Sequence, residues 1–232
     1  TTASSNTAVG HDSLKVNTTG TENVAVGALA LDANTTAHEN TGIGHNSLTG
    51  ATTGGQNTAL GAASGKAITT GTLNIAIGRA ALQANTTASN NTAVGGNSLK
   101  ANTTGTFNVA VGANSLDANT TASNNNAFGY AALGANTTGA HNNAFGTLAL
   151  DANTTGGNNV GIGTNALGAN TTASNNTAVG TSALAATTTG ANNVAVGNDC
   201  MLLNTTGNEN VVVGADALDA NTTGSSNVAI GK

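Results

Sequence analysis

Large side chains and charged groups are scarce in this 232-residue chain. It has no proline or tryptophan, three phenylalanines and one tyrosine, and only 6% of its residues are charged, against roughly 25% in an average soluble domain. Aromatic side chains supply much of the buried area of a broad globular core. The composition therefore argues against an ordinary compact enzyme, and we expect no catalytic residues.

Basic residues are also few, with five Lys and Arg against ten Asp and Glu and a net charge of −5. Nucleic acids and anionic membranes are bound through clustered Lys and Arg. No apolar run approaches the roughly 20 residues that span a bilayer. We therefore predict neither nucleic-acid binding nor membrane insertion.

Residues that could bind metals or carry out catalysis are sparse. Cys200 is the single cysteine, so the fold contains no intramolecular disulfide, and the four histidines lack metal-ligand spacing. We predict no metal site and no cofactor. Calcium is the one alternative, because Glu22 and Glu39, and likewise Asp199 and Asp216, lie one repeat apart and would stack like charges. Lys15 and Asp32 have the same spacing and should form an ion pair.

The dominant feature is a repeat of 17 residues without a single insertion. Numbered from its asparagine, the consensus is N-(T/V)-A-(V/I)-G-x-x-(A/S)-L-x-A-N-T-T-(G/A)-x-x, with Asn at position 1 and Gly at position 5 of all fourteen copies. Residues 1–232 are thus a single tandem-repeat region of thirteen full periods and a partial one. Because neither end shows an atypical capping repeat, we interpret the region as a segment of a longer chain.

This period fits a parallel β-solenoid, an all-β fold in which each repeat is one coil. Coils stacked about 4.8 Å apart place identical side-chain amides above one another, where they can form hydrogen-bonded ladders. The predicted structural ladder consists of Asn6, Asn23, Asn40, Asn57, Asn74, Asn91, Asn108, Asn125, Asn142, Asn159, Asn176, Asn193, Asn210 and Asn227.

Each coil is predicted to contain two short strands that end at glycine corners at positions 5 and 15. Side-chain alternation would place positions 2 and 4 of the first strand, and positions 9 and 11 of the second, in a narrow interior. Positions 3 and 8, which carry small residues, would then face outward. Such a core buries little apolar area against the cost of ordering the chain. We therefore expect the outer faces to pack against other copies in a homo-oligomer.

Positions 12 and 14 form a second pair of columns, predicted to project outward as Asn and Thr ranks that could bind a ligand. Asn-Thr-Thr is formally a glycosylation sequon, and regular Thr ranks resemble the surface of ice-binding β-solenoids. A structural turn repeated in every coil would explain the same Asn-Thr-Thr sequence without a binding function. The candidate exposed ranks include Asn17, Thr19, Asn34, Thr36, Asn85, Thr87, Asn102, Thr104, Asn119, Thr121, Asn136, Thr138, Asn153, Thr155, Asn170 and Thr172.

Two motifs resemble known repeat families. The sequences NTAVGGNSL at Asn91–Leu99 and NVAVGANSL at Asn108–Leu116 resemble the head repeats of YadA-like trimeric autotransporter adhesins. NTTG at Asn102–Gly105 is similar to tandem repeats of phage tail fibres. The resemblance covers the whole chain, although the period is longer than in the adhesin heads. It implies a left-handed β-roll assembled as a trimer.

We therefore predict a non-catalytic structural protein: an extracellular fibre or adhesin repeat region on a bacterial surface or a phage tail fibre. Its partners would be other copies of itself and a host surface receptor or glycan. One alternative is an ice-binding β-solenoid that uses Asn and Thr ladders. Another is a self-assembling extracellular filament, because an unpaired strand edge can template the addition of a further copy.

Overall fold

A computed structural model describes residues 2–232, in which strands of three residues recur once per repeat and no helix occurs. The strands are β1 (Thr7–Val9), β2 (Val24–Val26), β3 (Thr41–Ile43), β4 (Thr58–Leu60), β5 (Ile75–Ile77), β6 (Thr92–Val94), β7 (Val109–Val111), β8 (Asn126–Phe128), β9 (Asn143–Phe145), β10 (Val160–Ile162), β11 (Thr177–Val179), β12 (Val194–Val196), β13 (Val211–Val213) and β14 (Val228–Ile230).

Within β1 to β7 and within β8 to β14, consecutive strands pair in parallel with a register of one repeat, as in Thr41 opposite Thr58 and Val160 opposite Thr177. The chain divides into two compact units. The first holds the chain up to Asn114 together with Ala118–Thr121 and contains β1 to β7, and the second holds the remainder and contains β8 to β14. Each unit is a stack of similar coils. The predicted parallel β-solenoid with one coil per repeat is confirmed.

The predicted second strand is absent, and two consecutive turns replace it. In the third coil, the Ser47 amide donates to the Gly44 carbonyl at 3.2 Å and the Ala51 amide donates to the Leu48 carbonyl at 3.0 Å. Asn46 and Leu48, at positions 7 and 9, have φ values of 58° and 50°. Strict alternation of side chains requires extended backbone. Position 9 therefore points inward while position 11 lies near the surface, contrary to the prediction that both are interior.

The first strand also faces the opposite way from the prediction. From β2 to β13 the position 3 residue is buried, as at Ala25 and Ala59, whereas Leu60 at position 4 is 46% exposed. A Cβ atom added to Gly42, which replaces this alanine in β3, would lie 3.1 Å from Ser47 Oγ and 3.3 Å from Leu31 Cγ. The coil is so narrow that alanine fills the space beside the leucine of position 9. The larger residues at positions 2 and 4 therefore point outward.

The glycine at position 5 is required by both conformation and stacking. Gly27 has a φ of 131°, and a Cβ atom on it would lie 2.7 Å from the carbonyl carbon and oxygen of Gly44 in the next coil. No L side chain fits this arrangement. Position 15, the other predicted corner, has no positive φ. Alanine accordingly replaces glycine there, as at Ala37 and Ala88.

One coil departs from the consensus in its core and compensates internally. Position 9 is Gly65 instead of leucine, and position 12 is Ile68 instead of asparagine. Ile68 is fully buried, and its Cδ1 atom would lie 3.1 Å from a Cβ atom added to Gly65. The isoleucine thus fills the space that leucine occupies in other coils, so the core volume is kept.

Candidate functional site

The position 1 asparagines form a buried hydrogen-bonded ladder within each unit. The Asn176 backbone N–H donates to Asn159 Oδ1 at 3.0 Å, and Asn159 Nδ2 donates to Asn142 Oδ1 at 3.1 Å. Asn159 Nδ2 also donates to the Ala173 carbonyl at 2.8 Å, fourteen residues further along the same coil. Each such amide therefore closes its own coil and joins two neighbouring coils. Asn6 and Asn227, near the two ends, are only half-buried.

The position 12 asparagines form a second buried ladder, so the prediction that they are exposed is wrong. Asn170 Nδ2 donates to Asn153 Oδ1 at 2.8 Å and to the Ala173 carbonyl at 3.1 Å. The turn between positions 12 and 15 brings this carbonyl back toward the amide and draws the side chain inward. Fully buried members of the predicted rank are Asn34, Asn85, Asn102, Asn119, Asn136, Asn153 and Asn170, and Asn17 is partly buried. Glycosylation of the folded coils at the fully buried positions is sterically excluded.

The second ladder is interrupted where its asparagine is replaced by Ala51, Ile68 or Thr187. Two buried oxygens without a hydrogen-bond partner lie next to these interruptions, Asn34 Oδ1 before Ala51 and Asn170 Oδ1 before Thr187. In an uninterrupted ladder, the amide of the following asparagine would donate to each of them. The orphaned oxygens are therefore a direct consequence of the substitutions.

The two threonine columns differ in exposure. At position 13, the hydroxyl of Thr154 donates to the Thr171 carbonyl in the next coil at 3.0 Å. The threonines of position 14 are exposed, and those predicted as binding residues are Thr19, Thr36, Thr87, Thr104, Thr121, Thr138, Thr155 and Thr172. The predicted double rank of Asn and Thr is therefore reduced to a single exposed threonine rank.

Few titratable side chains of residues 2–232 pair with one another. Lys15 pairs with Asp12 of its own coil at 3.1 Å, and not with Asp32 as expected. Burial raises the pKa of the Cys200 thiol, which keeps it protonated and unreactive. Burial also raises the pKa of the Asp151 carboxyl, against the opposing effect of a hydrogen bond from the Ala152 backbone. Within residues 2–232 there is no pocket, and no cluster of three His, Cys, Asp or Glu residues could hold a metal ion.

The outward residues of the strands form the main apolar surface, which we call the strand face. Its members are the first and last residues of every strand: Val, Ile, Leu, Thr, Phe and Asn, with no charged residue among them. All Asp, Glu, Lys and Arg residues of the chain lie at positions 6, 7, 10 and 17. In the sequence, the small residue at position 3 of every strand except β13, followed by a larger apolar residue at position 4, signals this face.

Comparison of the chain with protein-family models, with curated proteins and with solved structures finds no match. No helix long and apolar enough to cross a bilayer occurs among residues 2–232. The geometry of the coil itself therefore carries the functional argument.

Proposed function

We propose that the chain is a non-catalytic structural repeat region that assembles as a homotrimer through its strand face. Each chain would form a left-handed β-roll. The assembly would act as an extracellular fibre or adhesin stem on a bacterial surface or a phage tail fibre, and would hold or contribute to a surface that binds a host receptor or glycan. Identical coils would present any such contact many times, which raises avidity.

The observation that supports this proposal is the charge-free strand face. Side chains such as Leu60 and Ile162 are 46% and 41% exposed although they lie opposite Ile77 and Val179 in the next coil. A largely apolar surface without charges, repeated over the strands of each unit, is typical of a protein–protein interface. Copies related by an axis along the stack would bury it and would add apolar burial to a thin core. The strand face is thus the proposed surface for assembly in place of the small residues of positions 3 and 8, such as Ala25 and Ala30, which are buried.

Sedimentation equilibrium at several concentrations tests the assembly. We expect the unmodified chain to have the mass of three chains. The variant Val179→Lys with Val196→Glu places one ion pair on the strand face, and we expect it to be monomeric because charge would be buried in the interface. A matched control is Thr172→Lys with Thr189→Glu in the exposed threonine rank, which should stay trimeric. A monomeric unmodified chain would contradict the proposal.

Ice binding is the second candidate function, favoured by the exposed threonine rank of position 14. Thermal hysteresis measured on the same control variant tests it. If the rank binds ice, the unmodified chain shows hysteresis and the Thr172→Lys, Thr189→Glu variant loses most of it. An unmodified chain without hysteresis removes this candidate.

A further inference from the structure

Two neighbouring coils have a strand face unlike all the others. Position 2 is Val, Thr or Ile in twelve strands, but it is asparagine in β8 and β9. Position 4 is aliphatic in the same twelve strands and phenylalanine in β8 and β9. We call Asn126, Phe128, Asn143 and Phe145 the amide–aromatic patch. It is the only such interruption of the repeating face in residues 2–232.

The patch is ordered within its own chain. Asn126 Nδ2 donates to Asn143 Oδ1 at 2.8 Å. The rings of Phe128 and Phe145 stack with their centroids 4.8 Å apart and their planes 7° apart. Each ring therefore covers one face of the other, and both remain more than a third exposed. The bond between the two amides is the only side-chain hydrogen bond of either asparagine within the described chain, which leaves the Asn143 amide group able to donate and the Asn126 oxygen able to accept.

Assembly through a repeating face creates a problem of register. When one chain slides along another by one coil, most strand-face residues meet residues of the same kind, so the slipped and aligned complexes bury similar area. Apolar burial alone is non-directional and does not distinguish them. A polar residue in an otherwise apolar interface does, because a misaligned amide loses water without gaining a partner.

We propose that the amide–aromatic patch sets the register in which copies of this chain associate, by aligning with the same patch of each neighbouring copy. This inference rests on the proposed homotrimer and specifies its alignment. In the aligned trimer, the spare donor of Asn143 and the spare acceptor of Asn126 bind amides of the other copies, and the phenylalanine edges pack together. A slip of one coil still brings one Asn143 beside an Asn126, whereas a slip of two coils separates the patches completely.

Cross-linking between reporter cysteines two coils apart tests this alignment. The background is Cys200→Ala, since alanine occupies the same position of other coils, as at Ala30 and Ala81. Thr177→Cys and Val211→Cys chains, each with a distinct tag, are mixed unfolded, refolded together and treated with a short thiol cross-linker. Two coils are separated by about 9.6 Å, so the cross-linker distinguishes aligned from slipped pairs.

When the patch is intact, we expect like products, which join two Thr177→Cys chains or two Val211→Cys chains, and few mixed products, which join one chain of each kind. The patch variant carries Asn126→Thr, Phe128→Val, Asn143→Thr and Phe145→Val, which copies the TAV sequence of β11. In this variant we expect the mixed product to rise about tenfold, because aligned and slipped trimers become nearly equal in free energy. The matched control, Val160→Thr with Ile162→Val, changes the neighbouring strand β10 in the same way but leaves the patch intact, and should give few mixed products.

Sedimentation of the same samples separates the two proposals. A patch variant that remains trimeric but yields mixed products supports the patch as the determinant of register. A trimeric patch variant without mixed products overturns the inference and leaves the trimer in place. Equal amounts of mixed and like products from the intact patch also overturn it. A monomeric intact chain, or a trimer without any of these products, overturns the strand-face assembly itself.

Discussion

The two asparagine ladders lie side by side in every regular coil, yet only one of them tolerates replacement. Asn159 of the first ladder and Asn170 of the second donate to the same carbonyl, that of Ala173. Position 1 is asparagine in all fourteen copies, whereas position 12 is replaced by Ala51, Ile68 and Thr187. Burial does not explain this difference, because both columns are buried.

The difference lies in what each side-chain oxygen accepts. At position 1 the oxygen accepts a backbone N–H of the next coil, as Asn159 Oδ1 does from Asn176. At position 12 the oxygen accepts the side-chain amide of the next coil, as Asn153 Oδ1 does from Asn170, and at the last such residue Asn221 Oδ1 accepts the Gly224 backbone N–H of its own coil. A missing side chain at position 12 orphans a side-chain oxygen of the preceding coil, as at Asn34 and Asn170, whereas a missing side chain at position 1 leaves a buried backbone donor unsatisfied. Buried backbone donors without partners are rare in folded proteins.

The largest effect is expected for Asn159→Ala. It leaves the buried Asn176 N–H without an acceptor and removes the Asn159 bond to Ala173, so we expect a loss of about 2–4 kcal/mol in the free energy of unfolding. Chemical denaturation followed by circular dichroism measures the loss. Hydrogen exchange should show the Asn176 amide losing its protection.

Asn170→Ala is the matched control in the same coil. Its oxygen already lacks a partner, and Ala173 keeps the bond from Asn159, so the loss should be smaller, about 1–2 kcal/mol. Equal losses for the two variants would show that the backbone bond does not distinguish the ladders.

An intermediate effect is expected in the coil where apolar packing replaces the second ladder. Gly65→Leu introduces a side chain whose Cβ atom lies 2.9 Å from Leu48 Cδ2 and 3.1 Å from Ile68 Cδ1. We expect it to destabilise the protein by about 1–3 kcal/mol through overpacking. Adding Ile68→Asn recreates the consensus coil and should recover that loss. Thermal unfolding of the single and double variants measures both steps. A double variant no more stable than Gly65→Leu would show that the packing of Ile68 against Gly65 does not take the place of the leucine and the ladder asparagine of other coils.

The smallest effect is expected for Thr187→Asn, which repairs the second ladder. The new amide can donate to the orphaned Asn170 Oδ1, and its oxygen can accept from Asn204 Nδ2. The substitution removes the hydrogen bond that the Thr187 hydroxyl donates to the Asn204 carbonyl. We expect a gain of about 1 kcal/mol, measured as a higher unfolding midpoint. Thr189→Asn in the exposed rank is the control and should leave the midpoint unchanged. A lower midpoint for Thr187→Asn would mean that the ladder needs no repair there.

The repeat was sufficient to predict the parallel solenoid and its period, because an uninterrupted period brings every residue onto its equivalent in the next coil. It also predicted an amide column at Asn159 and its equivalents. The prediction failed for the direction of the strand, since alternation divides Val24, Ala25 and Val26 into two faces without saying which is inside. It failed for Asn170 as well, because exposure there depends on a turn whose carbonyl draws the amide inward.

A fixed period and local conformational limits are enough to specify the coil, its glycine at position 5 and the columns of equivalent side chains. Which columns are buried depends on how the coil folds and packs. The reason is the width of the coil: the space between Gly42, Ser47 and Leu31 admits no more than an alanine, so the large aliphatic residues are left outside. The width of the coil is set by two turns with positive φ at positions 7 and 9. The pattern of residue types along the repeat does not reveal this width.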